Sequence, residues 1–173
     1  MEDLDLYACE LQDPELATVL SSSLPLRRLN VRFNQPGPAF LQALAEHPTL
    51  EALKLQHRYE ALAPQLPSTL KWLDLAGSEC PEAALLGIRR LSALTRLDLS
   101  HNEVGPALLA EVLSLPALTW LEMSAHDSAP EPWLEKALLE ADLSRFVRLG
   151  VGERVSNATL STLWERWPHL VAG

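Results

Sequence analysis

The stretch Leu94-Thr95-Arg96-Leu97-Asp98-Leu99-Ser100-His101-Asn102-Glu103-Val104 has the form L-x-x-L-x-L-x-x-N-x-V. The same frame opens at Met1, Leu26, Leu50, Leu70, Leu118 and Phe146, and Leu170 falls where another unit would open. Successive starts lie 20 to 28 residues apart. Self-similarity at such a period specifies an architecture, because one unit cannot bury its apolar face alone.

Frame positions 4 and 6 are apolar in every unit: Leu4/Leu6, Leu29/Val31, Leu53/Leu55, Leu73/Leu75, Leu97/Leu99, Leu121/Met123 and Leu149/Val151. A spacing of two puts each pair on one face of a strand. Beyond each strand the apolar spacing lengthens to three and four, as in Leu108/Leu109/Val112/Leu113 and Leu134/Leu138/Leu139, which predicts helix. Pro14, Pro38, Pro81, Pro106 and Pro132 lie near the starts of these segments. Proline is tolerated there because a first-turn N–H has no helical partner. The unit at 50–69 is too short for a full helix. The unit at 118–145 is long, with its extra residues expected at 127–132.

The iterated motif resembles the leucine-rich-repeat family, and the resemblance covers the whole chain. It implies one domain over 1–173 of α/β class. That domain is a curved solenoid with a parallel sheet on the concave face and helices on the convex face. The family's Asn or Cys at position 9 satisfies backbone groups in the turn. Here that column is Cys9, Asn34, Arg58, Ser78, Asn102, His126 and Arg154. Arginine cannot accept a hydrogen bond and is long for a buried slot. The side-chain ladder is therefore expected to break in the third and last units.

Hydrophobic content of 47% fits a folded chain. No apolar run approaches the roughly 18 residues of a membrane span. The acidic start MEDLDLYACE is already in frame, so it is no signal peptide, and cytoplasmic residence is expected. Net charge of −9 argues against nucleic acid and fits solubility or a basic partner. Cys9 and Cys80 sit three units apart, roughly 14 Å by strand spacing, too far for a disulfide. Arginine outnumbers lysine, and alanine and leucine abound, a usage associated with GC-rich bacterial genomes. No GxxxxGK[ST], HExxH or GxSxG motif occurs, and no cofactor is implied.

Candidate binding residues stand on the concave strands. Position 3 brings Trp72, Arg96 and Trp120 side by side, with Arg148 next. Arginine between tryptophans permits cation–π contacts, and both types dominate interface hot spots. Position 5 adds a stripe of Asp74, Asp98 and Glu122. Like charges on adjacent strands repel, and a cationic partner would relieve them. At position 8, Phe33, His57 and His101 line a third row. The two histidines are two strands apart, about 10 Å, which is wide for one metal ion. An open sheet desolvates carboxylates poorly, so an enzyme is not expected.

These features point to a non-enzymatic module that binds a protein or peptide, one of basic character on the charge argument, through the concave sheet. The alternative is an accessory repeat segment of a larger assembly. Both ends lack a polar cap in the sequence, the last helix carrying Trp164 and Trp167, so self-association is also expected.

Overall fold

The computed structural model describes residues 2–22, 24–125 and 129–172. The frame residues Met1 and His126, and Asp127 and Ser128 of the long unit, lie outside them.

Frame positions 3 to 5 of each unit form a three-residue strand: β1 (Asp3–Asp5), β2 (Arg28–Asn30), β3 (Ala52–Lys54), β4 (Trp72–Asp74), β5 (Arg96–Asp98), β6 (Trp120–Glu122) and β7 (Arg148–Gly150). With β8 (Val171–Ala172) they make one parallel sheet in chain order. Equal frame positions pair, so Leu29, Leu53, Leu73, Leu97, Leu121 and Leu149 form one row. The last strand departs from the frame. Arg148 pairs with Val171, one residue earlier than a count from Leu170 requires.

The connections run through α1 (Asp13–Ser21), α2 (Pro38–Ala45), α3 (Glu82–Leu85), α4 (Pro106–Leu113), α5 (Pro132–Glu140) and α6 (Asn157–Arg166). The short third unit carries only a 3-10 turn at Ala63–Gln65. Helix α3 ends after one turn because Gly87 adopts φ +96, a left-handed conformation that glycine accepts without Cβ conflict. The Gly87 N–H is held by Glu111 Oε2 of α4 at 2.7 Å.

Leucines at positions 1, 4 and 6 turn between sheet and helices and pack as one core. Leu50, Leu53, Leu55, Leu70, Leu73, Leu75, Leu94 and Leu97 are completely buried. Each contributes about 1.5–3 kcal/mol by leaving water.

Position 9 closes the turns. Asn102 accepts the Cys80 N–H (3.0 Å) and donates to the carbonyls of Leu75 (2.8 Å), Leu99 and Ser100. Asn34 repeats the pattern with the Leu11 N–H and the carbonyls of Leu6, Val31 and Arg32. Ser78 donates to the Leu55 carbonyl at 3.2 Å. The expected break in the last unit does not occur. Arg154 is buried, and its Nη1 donates to the Met123 carbonyl at 3.3 Å. That carbonyl, like those of Leu6, Leu55 and Leu75, belongs to position 6 of the preceding unit. Its length is absorbed by reaching onward to the Val104 carbonyl (2.9 Å) and to the Glu131 carboxylate.

The third unit does break the ladder. Arg58 is exposed and donates to the Glu79 carbonyl instead (2.9 Å). Buried Tyr59 and Cys80 close that turn, the Tyr59 N–H meeting Cys80 Sγ at 3.4 Å. Cys9 is exposed and contacts the Tyr7 carbonyl at 3.7 Å, so it does not serve the ladder.

Much of the acidic composition is structural. Asp13 accepts N–H groups of Gly37, Ala39 and Phe40 at the start of the next unit's helix. Glu82 holds the Leu108 N–H and Glu135 the Ser156 N–H in the same manner. A carboxylate there satisfies orphan donors and meets the positive end of the helix dipole. Burial pushes the Asp13 carboxyl up, but the bonds from Phe40, Ala39 and Gly37 outweigh it and hold it below the usual carboxylate range.

At the C-terminal end, Trp167 is buried beneath the Arg166 guanidinium, 4.3 Å from its ring, while Trp164 is exposed. The expectation of two uncovered tryptophans there holds for Trp164 alone. No helix among the described residues is long and apolar enough to cross a membrane.

Candidate functional site

Positions 3 and 5 of the strands point away from the helix layer, so the outer face of the sheet is built from them. The register places Trp72, Arg96, Trp120 and Arg148 side by side. Both tryptophans are half-buried. Trp72 lies between two cations, with Lys54 Nζ 4.8 Å and Arg96 Cζ 6.0 Å from its ring centre. Trp120 is covered by Arg148 at 5.6 Å. Arg96 thus serves one tryptophan rather than bridging two.

The acidic stripe is less available than its sequence suggests. Asp74 and Glu122 are both buried. Asp74 faces Arg32 Nη1 at 3.6 Å, and Arg32 reaches across two strands to do so. Glu122 is paired with the Arg148 guanidinium. It lies directly over Gly150, where a Cβ would fall 1.3 Å from its Oε2. Glycine at 150 therefore leaves the space in which the pair forms. The repulsion expected along the stripe is relieved inside the chain by Arg32 and Arg148.

Position 5 also has a backbone task. Asp5, Asn30, Asp74 and Asp98 each accept the N–H two residues on, at Tyr7 (2.9 Å), Arg32 (3.2 Å), Ala76 (3.1 Å) and Ser100 (2.9 Å). Asp and Asn favour this local turn. The recurrence of Asp or Asn at position 5 in four units was the available signal for it. Arg32 carried no comparable signal, because its partner lies two units away.

The third row separates from the tryptophans. Phe33 is exposed, sits at φ 58, and packs edge to face on Tyr7 with ring centres 5.0 Å apart. His57 is exposed and meets the Tyr59 ring at 4.9 Å. His101 is half-buried with φ 58.

On the N-terminal side of Trp72, the small side chain of Ala52 opens a depression of about 350 Å3. Its walls include Trp72, Lys54, Asn30 and the Asp3–Arg28 ion pair. The Arg28 guanidinium holds the Asp3 carboxyl below the usual range.

The same succession of strands and helices is found in solved structures. Internalin C2 from Listeria monocytogenes superposes with a TM-score of 0.65 at 19% identity, over 98% of this chain and 69% of that one. The chain has the leucine-rich-repeat fold. A leucine-rich-repeat protein of Leptospira interrogans matches at TM-score 0.58 and 22% identity, over 95% of this chain and 40% of that one. No protein-family model matches the chain, and no curated protein matches its sequence. These two neighbours both come from bacteria.

Proposed function

We propose that this repeat is a non-catalytic module that binds a protein or peptide on the outer face of its sheet. The observation that carries the reading is the pair Trp72 and Trp120. Two half-buried tryptophans stand at one register position on strands separated only by β5, each stacked by cations and facing away from the helices. A tryptophan offers about 150–250 Å² of buriable surface and is enriched at hot spots. The carboxylates support binding rather than acid–base chemistry, since Asp74 and Glu122 are engaged by guanidinium groups. The proposal includes cytoplasmic residence, where free thiols such as Cys9 and Cys80 are normal.

The test is affinity capture with the parent chain and with Trp72→Ala and Trp120→Ala, followed by titration of the captured partner. Weakened binding by the tryptophan variants supports the reading. If they bind like the parent while changes on the helix side abolish capture, it is wrong.

A further inference from the structure

The sheet face is balanced in charge, unlike the chain as a whole. Frame positions 3, 5 and 7 of the seven units carry five cations and five carboxylates, so the net −9 lies elsewhere. Three pairs consume much of this face: Asp3 with Arg28, Asp74 with Arg32, and Glu122 with Arg148. Asp5 holds the Asn30 amide and the Tyr7 N–H, and Asp98 holds the Ser100 N–H. Lys54 and Arg96 have no carboxylate partner among the described residues. They stand on either side of the Trp72 ring, at 4.8 and 6.0 Å.

We propose that the occupant of this face is an acidic peptide segment whose carboxylates are taken by Lys54 and Arg96 on either side of Trp72. The inference rests on the reading of the sheet face as a binding surface and names its partner's chemistry. A basic partner would find Asp74 and Glu122 buried and already neutralised, and Asp5 and Asp98 turned to N–H groups of the chain, whereas an acidic one finds two cations flanking one ring. Guanidinium also binds carboxylate in two-point fashion, which adds direction to the attraction. The depression beside Trp72 has Lys54 in its wall and gives an apolar side chain of the same peptide a seat. The chain's net −9 opposes an acidic partner at long range. At physiological salt, charges more than about 8 Å apart are largely screened, so the groups at the site decide.

The test uses the full chain as bait for a random dodecapeptide library displayed on phage, then titrates enriched peptides against variants. Enriched peptides are expected to carry an excess of Asp and Glu. They should bind Lys54→Gln/Arg96→Gln about tenfold more weakly, the scale of a lost charged contact. Lys136→Gln, the loss of one charge on the exposed side of α5 and so the counterpart of each single cation variant, should bind like the parent. Should the double variant fold poorly by circular dichroism, each single variant is expected to lose part of the same effect. Enriched peptides that are neutral or basic overturn the acidic partner, as do acidic ones indifferent to both cation variants. If such peptides still weaken with Trp72→Ala, the sheet-face reading survives. Indifference to Trp72→Ala, Trp120→Ala and the cation variants together overturns that reading as well. A library that enriches nothing overturns the proposal.

Discussion

Arg154 and Glu131 form a two-point ion pair, Nε to Oε1 at 2.7 Å and Nη2 to Oε2 at 3.1 Å. The pair lets an arginine occupy a slot that asparagine fills elsewhere. Removing the arginine strands Glu131 and leaves the carbonyls of Met123 and Val104 without this donor. Arg154→Ala is expected to destabilise by about 2–4 kcal/mol, toward the lower end because Glu131 is partly exposed. Glu131→Gln should cost less, because it keeps an acceptor. Urea melts of the two variants check the order.

The Asn102 side chain makes four hydrogen bonds in its turn and the Ser78 side chain makes one. Asn102→Ala is expected to cost about 1–3 kcal/mol through unsatisfied backbone groups. Ser78→Ala should cost clearly less. The reverse order in denaturant melts would refute the frame assignment.

Gly150 gives Glu122 the room to reach Arg148. Gly150→Ala should displace the carboxylate, at about 1–3 kcal/mol for the overpacking. A thermal melt reads that loss. A crystal structure of the variant should show Glu122 moved and Arg148 freed from it.

Stability is expected to fall on the acid side in two windows. Burial pushes the His47 imidazole below its ordinary value of 6.5, so the folded state resists protonation. Its contribution is therefore lost as pH falls below about 6.5, where the unfolded chain takes up the proton first. The Arg154 guanidinium lowers the Glu131 carboxyl, and Asp13 is lowered as described. Lowered carboxylates stabilise above their unfolded values and lose that contribution below roughly pH 4. Melting temperature against pH should show both segments, and His47→Leu should flatten the upper one.

For the proposed interface, truncating Trp72 or Trp120 should weaken partner binding by about 2 kcal/mol or more, as hot-spot residues do. Titration calorimetry measures it. Phe33→Ala is the informative contrast, because Phe33 packs on Tyr7. An effect as large as that of Trp72 would extend the surface to the position 8 row.

The repeat determined by itself the strand frame, the leucine core, the short irregular third unit and the side-by-side order of Trp72, Arg96 and Trp120. These follow from periodicity, since a recurring spacing of two places each residue on a known face and stacking fixes its neighbours. Tertiary structure decided what a single frame position could not reveal. The reach of Arg154 into a buried slot depends on Glu131 from the preceding unit. The burial of Asp74 depends on Arg32, two strands away. The availability of Lys54 and Arg96 depends on which carboxylates other cations have already taken. Long side chains choose partners across units by distance and geometry, and those partners have no fixed spacing along the chain.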